Sequence, residues 1–524
     1  MKDLEFQTPD YSSVRPLSTV YVCHGVPLNT SYKDTLTFSN QAEQFSYFAS
    51  KAKHVYDRLS PIGIGTAIRL PVEADILFDC NYCIITNSNF SQRNLYCFIT
   101  EIKYVNINSC EIKFQIDVMQ TWYFDMNVQA CLVEREHVNN DAIGSNTLGE
   151  NLPLGEYKRQ SRIRANVTAN RAVMVTLPGD PNSKDYSKLT GGIFSGLRQV
   201  TVPVENGAAG AVKDLLQSYI NDGEEDKVLA IQMIPSDFIT ERGTTAPKTK
   251  DIKIAKSVDT IDGYSPKNNK LKQYPYVYLE IDNTQGQTGI FKYEYFSTSD
   301  CNFRIVGVTS GDAPELILFP LNYDGMGTNV MEHMTLGGFP MCAWSGDAYK
   351  AYLANNSMKQ AITIGSELAT TGLSTGINAA TGNMPAAAAS LASGGIGVMG
   401  TVGGYMQEDN NARIQGNKMR GTRGSNAFYS SKLMDFWLTR KSIDASHARA
   451  IDDYFTRYGY RVDRIKVPNR TGRKSFNYVK TMGAAITGKI PFDDLKLINQ
   501  IFDSGITFWH GDYVGNYARD NGIA

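Results

Sequence analysis

Alternation of apolar and polar side chains runs through the first 135 residues. In CEIKFQIDV, Ile112, Phe114, Ile116 and Val118 alternate with Glu111, Lys113, Gln115 and Asp117. This is the period-2 pattern of a strand with one buried and one wet face. The longer stretch NYCIITNSNFSQRNLYCFITEIKYVNINSCEIKFQIDVMQTW predicts a three-strand meander with polar turns at residues 87–93 and 106–109. STVYVCHGVPL predicts a strand entering a Gly-Val-Pro turn, and YPYVYLEIDNTQGQTGIFKYEYFS a hairpin turning at residues 283–289.

Helical periodicity is confined to a few segments. One helix is predicted at residues 211–221, closed by Asp222-Gly223, and a short one at 348–354, capped by Asp347. SIDASHARAIDDYFTRYGYRVDRIKVPNR reads as helix, Gly459, strand. Ala448, Ile451, Tyr454 and Phe455 form its apolar face, and Asp452-Asp453 belong to a solvated one. PFDDLKLINQIFDSG predicts a helix capped by Asp493 or Asp494, with Leu495, Ile498, Ile501 and Phe502 inward and Gly505 as the stop. No 20–50-residue period points to a solenoid or propeller. The fold expected is mainly β with a few helices, a β-rich α+β protein. Its divisions are 1–135, a second β-rich domain at 136–345, a hydrophobic loop with its flanks at 346–425, and a C-terminal α+β part at 426–524.

Composition narrows the function classes. A chain of 524 residues suggests about three domains, and 29 Tyr with 23 Phe favour strands and large cores. The net charge of −1 lends little support to tight nucleic-acid binding. Eight cysteines are too sparse for a secreted disulfide framework. The opening MKDLEFQTPDYSS has acids and no apolar core, unlike a signal peptide, so synthesis in a reducing cytoplasm is expected.

Three motifs resemble chemistry without its context. Cys80 and Cys83 form a C-x-x-C inside a strand, with no second pair nearby to complete a zinc site. GAAITGKI, residues 483–490, has Ile490 where a phosphate loop needs Ser or Thr. GLSTG, with Ser374 as the would-be nucleophile, lacks the strand that a hydrolase elbow needs. The six histidines share no i, i+4 spacing. No catalytic residue, metal or cofactor is expected.

The segment from Leu368 to Gln407 is different: forty consecutive residues carry no charge and are rich in Gly and Ala. Its larger apolar members are chiefly Leu391, Ile396, Val398, Met399, Val402 and Met406. Gly394, Gly395, Gly400 and Gly403 allow close backbone packing. Glu367 on one side and Glu408 and Asp409 on the other would stay in water, and Lys418, Arg420 and Arg423 beyond them could meet anionic head groups or belong to a solvated loop. Ten glycines between Gly365 and Gly404 oppose a long helix. Composition alone leaves two readings open: a conditional membrane segment, and a stored or disordered loop.

Several blocks resemble the tail knob (distal tube) proteins of short-tailed phages of the phi29 type. They are GVPLNTSYKDTLTF, FITEIKYVNINSCEIKFQIDVMQTW, LVEREHV and ENLPLGEY near one end, and IDDYFTRYGYRVDRIKVPN, NYVKT and FDSGITFW near the other. They span residues 17–157 and 436–510. The resemblance implies a ring-shaped, hexameric tube at the distal end of the virion tail, joined to the upper tail or lower collar. Residues 1–135, completed by the C-terminal part, would form its wall. Double-stranded DNA would pass through without specific binding. Residues 362–407, which contain the uncharged run, would be a loop held in the lumen and released to enter the host membrane. A receptor-binding virion protein, with the run as mere packing, is the alternative. An enzyme such as a wall hydrolase would need convergent acids or a metal.

Overall fold

The computed structural model describes residues 18–59, 61–62, 67–87, 93–178, 197–203, 209–221, 228, 230–238, 249–256, 258–308, 314–324, 333–340, 344–346, 418–420 and 433–524. They form two compact units. The first joins Met1–Pro153, Lys267–Lys270 and Arg449–Ala524; the second comprises Leu154–Pro266 and Leu271–Ala448.

The first unit holds a seven-stranded antiparallel sheet in the order Ala52–Leu59, Ser18–His24, Cys80–Asn87, Asn94–Asn106, Ser109–Ile116, Ala67–Leu70, Pro61–Ile62. The predicted meander is its centre. Both faces of the central strands are buried, which explains why CIIT is apolar without interruption. Val20, Val22, Cys83, Ile85, Cys97 and Ile112 fill one side. Cys23, Tyr82, Ile84, Tyr96 and Phe98 face the other, against Phe48, Trp122, Ile498 and Phe502.

A second sheet is assembled from distant parts of the chain. Its order is Asp34–Leu36, Ile506–Trp509, Phe476–Met482, Cys131–Glu136, Tyr460–Lys466. Asp34–Leu36 runs parallel to Ile506–Trp509, and the other pairings are antiparallel. Helix Phe492–Ser504 ends at Gly505, whose φ of +93° suits a residue without Cβ. Ile498, Ile501 and Phe502 are buried as the periodicity requires.

Four sequence expectations are corrected. Residues 41–50 lie where strands and turns were read, yet Gln41–Ser50 is helical. Asn40 accepts from Glu43 N and Glu43 accepts from Ser39 N, a reciprocal cap that starts the helix. The cap of helix Phe492–Ser504 is Pro491, and Asp493 and Asp494 sit in the first turn. Asp117 is not on a wet face, because the strand stops at Ile116 and Asp117 turns inward to cap helix Val118–Thr121. Asp452, assigned to a solvated face, is 1% exposed: two residues from the middle of the chain, Lys267 and Asn268, donate to its carboxylate.

The second unit contains a four-stranded sheet, Tyr157–Arg164, Trp437–Ile443, Val277–Asp282, Thr288–Phe291, whose last two strands are the predicted hairpin. It also contains a three-stranded sheet of Leu197–Pro203, Arg171–Pro178 and Ala230–Pro235. A further four-stranded sheet joins Thr249–Ala255, Asp300–Val308, Glu315–Pro320 and Met334–Leu336. The helix Ala209–Asn221 matches the periodicity at 211–221.

Candidate functional site

Two short strands bracket the uncharged run. Trp344–Gly346 and Lys418–Arg420 pair antiparallel, with Trp344 opposite Arg420, Ser345 opposite Met419 and Gly346 opposite Lys418. An antiparallel pair returns the chain to where it left, so residues 347–417 depart from and rejoin one place in the second unit. The run itself lies outside the described residues. So do Leu391, Gly394, Gly395, Ile396, Val398, Met399, Gly400, Val402, Gly403 and Met406, the flanks Glu367, Glu408, Asp409 and Arg423, the expected helix at 348–354, and Ser374. Of the flanking residues named from sequence, Lys418 and Arg420 are on the backbone of the returning strand.

In the first unit, the strand Cys131–Glu136 and the turns after it carry a buried polar cluster that sequence reading did not single out. Glu150, about 1% exposed in its side chain, pairs with both Arg135 and Lys270. Arg135 also donates to Gly459 O at 2.7 Å and stacks 4.6 Å from the Tyr454 ring centre. Glu136 pairs with Lys466 and accepts from Asn469 N at 2.8 Å. Asp141 accepts from the Tyr460 hydroxyl. Asp452 accepts from Lys267 N at 2.8 Å, Asn268 N at 3.0 Å and Asn268 Nδ2 at 2.7 Å. Buried charges are tolerated when paired in this way. His137 Nδ1 accepts from Tyr478 N at 2.7 Å, which leaves Nε2 to donate to Thr456 O at 3.1 Å. Burial, then the charges of Arg473 and Arg135, push its pKa down to about 3. These acids and bases are occupied with one another and with backbone groups. The arrangement suits fastening of chain segments, not proton transfer to a substrate. The only sequence signal was the succession of Glu134, Arg135, Glu136 and His137 at the end of a strand.

A second buried acid, Asp117, accepts from Tyr82 Oη at 2.9 Å and from Met119 N and Gln120 N at 3.0 and 3.1 Å. Burial raises its pKa to about 7 against these bonds. Nearby, Trp122 Nε1 donates to Asp494 Oδ2 at 2.8 Å. That bond ties the Asp117–Trp122 block to helix Phe492–Ser504.

The chemical look-alikes are structural where described. Cys80 and Cys83 are buried in the large sheet, and burial pushes the Cys80 thiol up to about 11. Among the described residues no three His, Cys, Asp or Glu side chains are placed to hold a metal. Within GAAITGKI, Ile486–Thr487 pairs with Asn127–Val128, and a Cβ on Gly488 would stand 2.3 Å from Asp125 O. That glycine permits close chain packing, not a phosphate cradle.

One open surface is apolar. Leu132 lies opposite Ile465 on one side and Met482 on the other, so the three share a sheet face. Ile465 is 78% and Met482 61% exposed, and among the described residues the adjoining strand Tyr460–Lys466 is an edge of its sheet.

The described residues form a β-rich chain in which two short strands, Trp344–Gly346 and Lys418–Arg420, pair on either side of the uncharged run. Comparison with known proteins gives its class. Residues 16–127 match the caudoviral major tail protein N-terminus. Residues 241–522, more than half of the chain, match the family of Bacillus phage phi29 tail knob protein gp9, C-terminal domain, and the chain belongs to that family of structural tail proteins. It is 26% identical to the tail knob protein gp9 of Bacillus phage phi29, covering 97% of this chain and 99% of that one. It is likewise 26% identical to tail knob protein gp9 of Bacillus phage B103, with the same coverage. Its fold is similar to that of the bacteriophage C1 tail knob protein gp12, with a TM-score of 0.64 at 16% identity, over 97% of this chain and 100% of that one.

Proposed function

We propose that this virion tail protein forms the distal tube or knob as a ring of six copies. The ring joins the other tail proteins and conducts double-stranded DNA into the host. Residues 362–407 form a loop released from each subunit to permeabilise the host membrane. The observation that carries the reading is the strand pair Trp344–Gly346 and Lys418–Arg420. It supports an uncharged excursion that can change place without unravelling its base, since the chain inside it needs no other anchor for the two strands to stay paired. Absence of charge over forty residues keeps insertion inexpensive. Six copies would present six such segments to one patch of bilayer. The exposed row Ile465, Leu132 and Met482 beside a free strand edge supports contact between neighbouring copies, which would cover both.

Dye leakage from liposomes tests the membrane step. The full chain is compared with a variant lacking residues 362–407 across pH 4 to 8. Leakage with the full chain and none with the deletion is expected. Equal leakage from both, or none from the full chain at any pH, overturns the membrane role. Native mass measurement of the full chain tests the ring separately, with six copies expected.

A further inference from the structure

The near-neutral total charge conceals a strongly basic stretch. Between Arg457 and Lys480 stand eight Lys and Arg against one acid, Asp463. Some are matched: Lys466 pairs with Glu136, Lys480 with Glu134 and Arg461 with Asp463. Arg473 is the exception that matters. It is 7% exposed, its Nε is buried without an acceptor, and among the described residues no carboxylate pairs with its guanidinium. A buried lysine could shed its proton to escape this situation, but a guanidinium stays charged at any physiological pH. A cation so placed needs an anion or a solvent oxygen.

The loop that carries it is built rigidly. Asn469 N donates to Glu136 Oε2 at 2.8 Å and Asn469 Nδ2 to His137 O at 2.8 Å. Arg473 N donates to Asn477 Oδ1 at 3.2 Å, and Lys474 N to Gly522 O at 3.0 Å. Gly472 is packed so closely that a Cβ would stand 1.7 Å from Asn139 Oδ1. The loop's other two cations, Arg470 and Lys474, have no acid partner among the described residues; Arg470 lies 5.9 Å from the Tyr123 ring centre. The field of Arg473 also reaches inward, where it helps to keep His137 neutral.

We infer that residues 469–474 form an oxyanion site, with Arg473 as the buried anchor and Arg470 and Lys474 as its flanks, and that its ligand is a phosphate group. The planar fork of a guanidinium matches a phosphate through two parallel hydrogen bonds. Three cations within one short loop suit a group that can carry two negative charges better than a lone carboxylate. The site does not depend on the membrane role of residues 362–407, and deleting them should leave it intact.

The test is thermal unfolding of the full chain while inorganic phosphate replaces chloride at constant ionic strength. Phosphate is expected to raise the Tm by about 4 °C or more at saturation. R473M should melt higher than the unsubstituted protein in chloride, because it removes an unpaired buried charge, and should lose the phosphate response. R470Q/K474Q changes two surface groups and should keep the chloride Tm while needing at least tenfold more phosphate. It decides the matter if R473M does not fold. A solvent oxygen at Arg473 predicts the opposite: no specific phosphate response, and R473M no more stable than the parent. Either result overturns the site. Phosphatidylglycerol vesicles set against phosphatidylcholine vesicles distinguish a lipid phosphate from free phosphate: retention on the former alone, lost in R470Q/K474Q, identifies the lipid source.

Discussion

Asp117 and His137 are buried titratable groups whose effects on stability run in opposite directions. The native Asp117 carboxyl holds its proton up to about pH 7, whereas the unfolded chain releases it near 3.8. Between those values the folded state binds more protons, so this stabilisation is complete below 3.8 and is lost as pH rises through about 7. His137 stays neutral down to about 3, whereas the unfolded imidazole takes a proton near 6.5, so its contribution is lost as pH falls between those values. D117N keeps an oxygen for the cap and removes the first slope. Denaturant unfolding as a function of pH should show D117N more stable than the parent at pH 8. It should also show a steeper decline below pH 6.5, and a parallel profile would refute the assignment. Gly459 has a φ of +62°, and a Cβ there would lie 2.2 Å from Glu136 O. G459A is therefore expected to cost about 2 kcal/mol or more by equilibrium unfolding. The sequence showed Gly459 as a stop between helix and strand; the carbonyl that excludes a side chain comes from residues more than three hundred positions away.

Elements with a full local signature were legible. Helix Phe492–Ser504 has an apolar stripe, acids in its first turn and Gly505 at its end, and the meander strand Ser109–Ile116 alternates along its length. Helix Gln41–Ser50 was harder to see. Its large apolar members, Phe45, Tyr47 and Phe48, are aromatic and favour strands as readily, and the Asn40–Glu43 cap is a short signal. Other features have no local signature at all. Lys267–Lys270 joins the first unit because Asp452, Asp141 and Glu150 each take a donor from it. Removing Glu150 would leave the Arg135 guanidinium without its carboxylate, and Lys270, whose pKa burial already pushes down to about 7, without its ion pair. E150A is expected to destabilise the first unit by about 3–5 kcal/mol, measured by urea unfolding. A loss below about 1 kcal/mol would mean that the network is not what holds this segment.

Across the whole chain, the first unit is completed by its two ends, since Asp34–Leu36 pairs with Ile506–Trp509. The uncharged run leaves the second unit between paired strands, so excising residues 362–407 shortens a closed excursion and changes loop-closure entropy only slightly. The deletion variant is expected to melt within about 2 °C of the parent, and a large drop in Tm would show that the run is part of a core. The β-rich class, the major strands and helices and the anomaly of the uncharged run were determined by sequence alone, because periodicity, turn residues and charge are local properties. The resemblance of both ends to a tail knob family was also readable there. Tertiary structure decided which strands become neighbours, that Asp117, Asp452 and Glu150 are buried, that Trp344–Gly346 pairs with Lys418–Arg420, and that Arg473 stands without an acid among the described residues. Those outcomes depend on which distant groups come to share a low-dielectric interior, and a pattern read along the chain carries no distance between residues hundreds of positions apart.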